Sequence, residues 1–268
     1  MKLPNFLGIG TQRAASTWIF NCLKEHPEVF VPENKDSEFF CSENIYERGI
    51  SYYSTLFELA SGFKAVGEIS PDCLAYEVCP ERIFSYLPEV KMIVILRNPI
   101  ERAFSAYRKF ILPQSGWSFR EAIERRPALL EYGLYYKQIQ RFFSYFPRNQ
   151  FQIFLYEDLA SNNLDVIKTI YKFLGVDATF CPSWIGRISN VSSFSSLDNI
   201  IEKYQFKWIL ELINVSGLDT IRRKLQQKRS QRKVYNIEVE IRNELADYYR
   251  ESNNNLTKLL DIDLSSWK

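Results

Sequence analysis

Four short apolar runs constrain this chain more than any other feature: Phe6–Ile9, Phe63–Val66, Met92–Leu96 and Phe151–Leu155. Each is bounded by turn residues or charges, and helical patterns fill the intervals. A short run that is apolar throughout, or interrupted only once as at Lys64 and Gln152, has no regularly alternating solvated face, so cover on both sides is expected. Short strands buried on both faces and separated by helices imply an α/β fold, a central mostly parallel sheet flanked by helices in three layers. With 268 residues, 46% of them hydrophobic, the chain can bury such a core. No internal repeat or composition shift divides it, and it reads as a single domain over residues 1–268.

The helical segments follow from spacing and punctuation. The first places Trp18, Ile19, Cys22 and Leu23 on one face and stops before His26-Pro27, where proline disfavours helix in the residue before it. Another opens at Asn98-Pro99, an N-cap residue with proline at the first helical position, and carries Ile100, Ala103, Phe104 and Tyr107 as its stripe. Further helices are predicted over Phe119–Arg125, Leu134–Tyr145 and Leu164–Leu174, the last closed by Gly175. Residues 176–200 read as loop. Helical patterns return over Ile200–Ile213 and Glu238–Leu260.

The first strand leads into Gly8-Ile-Gly-Thr-Gln-Arg-Ala-Ala-Ser-Thr-Trp18. A Walker A loop would need its lysine directly before the hydroxyl residue. Here the basic residue is Arg13, three positions before Ser16, with Ala14 and Ala15 between. The physical logic of an anion site survives, because helix N-terminal N–H groups favour an anion and Arg13, Ser16 and Thr17 can add hydrogen bonds to it. The expectation is a P-loop-like fold. A second device ends the third apolar run: Arg97 stands at the strand edge where open α/β sheets bind ligands, and Ser105 lies on the next helix. Either feature alone is also compatible with an ordinary turn or ion pair.

Charge and cysteine usage exclude several classes. The formal net charge is only +2, which argues against a nucleic-acid partner. Basic residues do concentrate between Arg222 and Lys233, as a solvated face or as an anion clamp. The five cysteines are scattered without CxxC spacing, so neither a zinc site nor a disulfide framework is expected, and a single histidine leaves no metal-ligand set. No apolar run approaches the roughly 20 residues of a membrane span. The chain reads as a soluble cytoplasmic protein with no membrane partner.

The Gly-Thr-Gln-Arg-Ala-Ala-Ser-Thr-Trp loop together with Arg97-x7-Ser105 resembles the two cofactor motifs of sulfotransferases that use 3′-phosphoadenosine 5′-phosphosulfate (PAPS). The likeness is greatest to the heparan sulfate type and its bacterial relatives. Ordered segments extend it along the chain: Lys35-Asp-Ser-Glu-Phe-Phe40, Gly67-Glu-Ile-Ser-Pro71, Tyr132-Gly-Leu-Tyr135, Tyr156-Glu-Asp-Leu159 and Asp263-Leu-Ser-Ser-Trp267. The resemblance implies PAPS as co-substrate without a metal. It also implies cofactor contacts from Arg13, Ala14, Ala15, Ser16, Thr17, Trp18, Arg97 and Ser105, and from Arg232 and Lys233 in the basic cluster. Arg13 replaces the family's loop lysine, which leaves phosphate binding intact and puts a lysine-specific role in transfer in doubt.

The acceptor hydroxyl or amine must lose a proton during attack, so a base is required. The resemblance places Asp36 at the family's Glu position, one methylene shorter; Glu68 is the second candidate and Glu38 the third. Lys35 is either a countercharge for the transferring group or a solvated side chain. His26 matches a structural turn rather than the histidine base of steroid- and phenol-type enzymes. The implied function is sulfuryl transfer to a small natural product such as a polar alkaloid, with a glycan acceptor as the alternative. Also open are a P-loop nucleotide kinase and a nucleotide-binding protein without transfer activity.

Overall fold

The apolar runs pair into one five-stranded sheet. The strands are β1 (Phe6–Gly10), β2 (Val29–Phe30), β3 (Ala65–Ile69), β4 (Lys91–Leu96) and β5 (Phe151–Leu155), in the order β2-β3-β1-β4-β5. Every neighbouring pair is parallel. This computed structural model describes residues 2–186 and 236–267. Residues 2–186 and 239–267 belong to one compact unit. The helix expected over Ile200–Ile213, the basic cluster Arg222–Lys233, and Arg232 and Lys233 within it lie outside the described residues.

The helices are α1 (Ser16–Glu25), α2 (Glu43–Tyr46), α3 (Gly49–Thr55), α4 (Cys79–Tyr86), α5 (Pro99–Ala106), α6 (Leu112–Ser115), α7 (Phe119–Arg125), α8 (Ala128–Glu131), α9 (Tyr135–Phe143), α10 (Tyr156–Ser161), α11 (Asn163–Leu174) and α12 (Val239–Leu260). Because side chains alternate along a strand, each strand feeds two cores. Leu7, Ile9, Val66, Met92, Val94 and Leu96 pack with Tyr53, Ile83, Tyr135, Phe142 and Leu256 on one face. On the other, Phe6, Ala65, Ile69, Ile93 and Ile95 pack with Trp18, Leu23, Ile167, Ile170 and Tyr171. Each such large apolar side chain contributes roughly 1.5–3 kcal/mol by leaving water. None of the helices among the described residues is long and apolar enough to cross a membrane.

Two strand expectations need correction. The second run forms β3 over Ala65–Ile69 rather than Phe63–Val66. Gly67 and Glu68 interrupt its apolar pattern, yet both belong to the strand. Gly67 is required there because a Cβ would run into the Phe6 carbonyl oxygen of β1. Glu68 is tolerated because its carboxylate is hydrogen-bonded inside the core, as described below. The strand β2 has only two residues, too few for a periodicity to register.

The order of the strands positions the site. The chain runs out from β1 to β2, returns through β3 beside β1, and then crosses to β4 on the other side of β1. In open parallel sheets, ligands bind beyond the strand C-termini where the chain direction switches. Here that place is flanked by the loops after β1, β3 and β4.

Candidate active site

The loop after β1 turns through left-handed backbone at Arg13 (φ 74°) and Ala15 (φ 62°) before α1 begins. No side chain caps α1, its first turn holds no acidic residue, and among the described residues nothing accepts from the N–H groups of Ser16 and Thr17. A helix start left open in this way, with its positive dipole end, favours an anion. Gly10 lets the loop lie close to the chain after β3, since a Cβ there would come within 2.7 Å of Leu74 Cβ.

The two motifs touch. Arg13 Nε donates to Ser105 Oγ on α5 at 3.1 Å, and Arg97 Nη1 donates to the Arg13 carbonyl oxygen at 3.0 Å. Arg97 is held from several sides. Tyr135 Oη donates to its carbonyl oxygen at 2.9 Å, its guanidinium lies 4.6 Å from the Tyr156 ring centre, and Asn98 caps the following helix by accepting from Ile100 N–H at 3.0 Å. Burial, and then the guanidinium of Arg97, pushes Arg13 below its ordinary pKa. No carboxylate among the described residues forms an ion pair with Arg13. Two guanidinium groups this close, with Arg13 uncompensated, make a receptor for a multiply charged anion.

Lys35 supplies an ammonium to the same loop from another part of the chain. Its Nζ donates to Ser16 Oγ at 2.9 Å and lies 3.5 Å from Thr17 Oγ1. Burial lowers its pKa, Asp36 and Asp72 raise it, and Arg13 lowers it. The half-buried Lys35 therefore sits electrostatically between the cationic loop and a cluster of acids.

That cluster has three members with distinct environments. Asp36 and Glu38 have left-handed φ of 70° and 55°; apart from Asp261, the non-glycine positive-φ residues among those described all belong to this loop and the one after β1. Backbone held in sparsely populated regions concentrates at functional sites. Asp36 Oδ1 and Ser70 Oγ are both buried without a hydrogen-bond partner among the described residues. Burial, reinforced by the Cys41 thiol, pushes Asp36 up to about 6 against the opposing pulls of Lys35 and of the nearby Ser70 hydroxyl. Asp72 is likewise pushed up to about 6, by burial and then by Asp36, and Gln12 Nε2 donates to it at 2.9 Å.

Glu68 is buried in the core, and both of its oxygens have protein donors. Tyr53 Oη donates to Oε1 at 2.9 Å and Ser37 N–H to Oε2 at 3.4 Å. Burial still raises its pKa. Glu68 thereby anchors the loop that carries Asp36. Tyr53→Phe would leave one oxygen of that carboxylate unsatisfied, and the expected cost is about 1–3 kcal/mol, measured as a lower urea midpoint at unchanged slope.

Other residues singled out in the sequence are engaged in contacts within the protein or lie apart from the loop. Trp18 is fully buried; its N–H donates to Ala15 O at 2.9 Å and its indole Nε1 to Trp184 O at 2.8 Å, so it has no donor left for a ligand. Ala14 is buried, with its N–H bonded to Thr11 O at 3.2 Å. Glu38 is exposed. His26 accepts from Glu28 N–H at Nδ1 (3.1 Å), pairs through Nε2 with Asp177 O (2.9 Å) and packs on Tyr171 and Phe180, all structural contacts. Asp72 and Gln12 lie at the same edge of the sheet and are not singled out by the sequence reading. Position was the available signal: Asp72 falls three residues beyond β3, at the ligand-binding edge of the sheet.

Comparison with known proteins gives this arrangement a family. A family model described as the sulfotransferase domain matches residues 3–257. The human bifunctional heparan sulfate N-deacetylase/N-sulfotransferase 3 is 29% identical over 280 residues, covering 97% of this chain and 30% of that protein. Human heparan sulfate glucosamine 3-O-sulfotransferase 6 is 26% identical over 184 residues, covering 65% of this chain and 53% of that protein. This chain thus spans about a third to a half of the length of these curated relatives. The crystal structure of a sulfotransferase from Alicyclobacillus acidocaldarius superposes with a TM-score of 0.75 at 24% identity, covering 100% of this chain and 99% of that one, and so shares the fold. With a family match over nearly its whole length, this chain belongs to the sulfotransferase domain family.

Proposed function

We propose that this chain transfers the sulfuryl group of PAPS to a hydroxyl or amine of a small cationic natural product. The observation that supports it is the meeting of two fields at one sheet edge. The open helix start, Arg13, Lys35 and Arg97 make a polyanion receptor, and Asp36, Asp72 and Glu68 lie beside it. In this reading Arg97, Ser105 and Arg13 hold the 3′-phosphate side. The Ser16 and Thr17 N–H and hydroxyl groups, with Lys35, hold the 5′-phosphosulfate. Asp36 accepts the acceptor's proton as its oxygen or nitrogen attacks sulfur, and the bond from sulfur to the bridging oxygen breaks to release 3′-phosphoadenosine 5′-phosphate (PAP). Holding donor and acceptor in line accounts for much of the rate, as it does in phosphoryl transfer.

The acceptor class follows from charge. Burial raises the pKa of both Asp72 and Glu68, and Asp36 adds to it, strongly at Asp72 and least at Glu68. A cationic acceptor such as a polar alkaloid relieves that crowding, whereas a polyanionic glycan adds to it. The names of the curated relatives favour the glycan; the acids favour the cation.

The test is direct. The protein is supplied with PAPS and a panel of amines, alcohols and heparan-type oligosaccharides, and PAP release is measured alongside product mass. We expect transfer to cationic small molecules. Arg13→Ala and Arg97→Ala should each weaken PAP binding about 10- to 100-fold, the equivalent of one or two charge-assisted hydrogen bonds. PAP binding without transfer to any panel member would overturn the transferase reading. Preferential sulfation of the oligosaccharides would overturn the acceptor reading alone.

A further inference from the structure

The cysteines, scattered in sequence, are not scattered in space. Cys41, Cys73 and Cys79 bring their Sγ atoms within 4.8 Å of one another. Cys41 Sγ lies 3.2 Å from that of Cys73 and 3.6 Å from that of Cys79. They come from three elements: Cys41 follows Phe39-Phe40 in the loop that carries Asp36, Cys73 follows Asp72 beyond β3, and Cys79 opens α4. Cys73 and Cys79 are buried while Cys41 is half-buried, so the group has one approach from the surface.

The three sulfurs do not share one state. Cys73 is pushed up, first by its hydrogen bond to Cys41. Against the lowering bond from Cys73, Cys41 is pushed up by its bond to Cys79 and by burial, so these two are held as thiols. Two guanidinium groups, Arg82 and Arg141, act on Cys79, whose thiol is pushed down to about 5, first by hydrogen bonds from Cys41 and Cys73 and then by these two cations against the effect of burial. Arg82 Nη1 donates to Phe40 O at 3.3 Å, which fixes it beside the cluster. Arg141 Nη1 is buried without a hydrogen-bond partner, 3.5 Å from the exposed Glu77 carboxylate. Three apolar side chains would fill this space without needing either cation nearby.

We propose that Cys41, Cys73 and Cys79 form a binding site for a thiophilic d10 metal ion, cuprous or zinc. Thiolate ligands select these ions from the divalent and monovalent pool. Metal–sulfur bonds of about 2.3 Å place thiolate sulfurs roughly 4 Å apart, so Cys41 must move away from Cys73 and Cys79, which now lie 3.2 and 3.6 Å from it. Binding displaces the thiol protons to solvent, and Arg82 and Arg141, which pair with Glu43 and Glu77, flank the anionic complex. Three-coordination suits the cuprous ion; zinc would complete a tetrahedron with water on the Cys41 side. The ion would clamp the Asp36 loop to the end of β3 and the start of α4, a structural role at the edge of the acid cluster.

The test uses the whole 268-residue chain in reduced form, stripped with chelator and titrated anaerobically with zinc alone or with cuprous ion alone against a competing chelator. We expect one ion per chain, a higher thermal midpoint, and with cadmium as reporter an ultraviolet thiolate-to-metal charge-transfer band scaled to three thiolates. Cys41→Ser and Cys73→Ser should weaken binding at least 100-fold, and Cys181→Ser should leave it unchanged. If Cys41→Ser or Cys73→Ser fails to fold, the cadmium band intensity on the Cys181→Ser protein still counts the thiolates. No stoichiometric binding of either ion, a band scaled to fewer than three thiolates, or binding that survives Cys41→Ser would overturn the site. The two titration arms decide which ion it prefers.

Discussion

Asp36→Asn is expected to lower the turnover of sulfuryl transfer by about 10²–10⁴-fold, the usual contribution of a positioned general base, with a much smaller effect on PAP affinity. Asp36 combines properties that the other two acids lack. Its Oδ1 is buried with no donor in hydrogen-bonding geometry among the described residues, the Ser70 hydroxyl being near enough only to temper its pKa, whereas both oxygens of Glu68 are occupied and Asp72 accepts from Gln12. Burial holds its pKa at about 6, close to an operating pH near neutrality, where a base combines availability with strength. The sign of the pH dependence follows. The carboxylate is the active form, so kcat/KM should rise through pH 6 and level off above pH 7, and Asp36→Asn should abolish that rise. Because Asp72 is also held at about 6 and couples to Asp36, the apparent midpoint belongs to the pair. Wild-type turnover and an unchanged pH profile in Asp36→Asn would remove it as the base.

Lys35→Ala is expected to cost about 10²–10³-fold in turnover, the scale of losing one preorganised charge at a developing anion, while PAP binding weakens by less than about 10-fold. The loop after β1 has an arginine where the family's loop has a lysine, and that arginine is engaged elsewhere, with its Nε on Ser105 of α5. Lys35 places an ammonium against Ser16 Oγ, at the head of α1, where the leaving phosphate's charge would gather. Lys35→Arg should restore part of the rate, since it keeps the charge but spreads it over a larger planar group. If Lys35→Ala kept full turnover while Arg13→Ala lost it, the arginine would be the residue that meets the leaving group.

The sequence carried much of this in advance, for identifiable reasons. Apolar runs announce strands, so β1, β4 and β5 fall within a residue or so of expectation; β1 and β4 are buried on both faces, whereas β5 lies at the sheet edge and is only half-buried beyond Phe151. Punctuation by Asn98-Pro99 and Gly175 fixed a helix start and a helix end. The limits of that reading were local. A two-residue edge strand has no period, and β3 hid behind Gly67 and Glu68, whose suitability depends on Phe6 and Tyr53 from distant positions. Trp18 sat inside the right motif, but its indole is committed to Trp184 O.

The loop after β1, Arg97 and Ser105 are local patterns legible in linear order, enough to imply the family, and Asp36 is singled out only through the resemblance to it. Tertiary structure decided which groups work on which. It sent Arg13 to Ser105, brought Lys35 to Ser16, filled both oxygens of Glu68 and left an oxygen of Asp36 open. It also gathered Cys41, Cys73 and Cys79, which no spacing rule connects, into one group of sulfurs. The physical reason is common to all of these. Propensity and periodicity act over a few residues, whereas a pKa, a hydrogen-bond partner or a metal site depends on burial and on neighbours that only the folded sheet brings within reach.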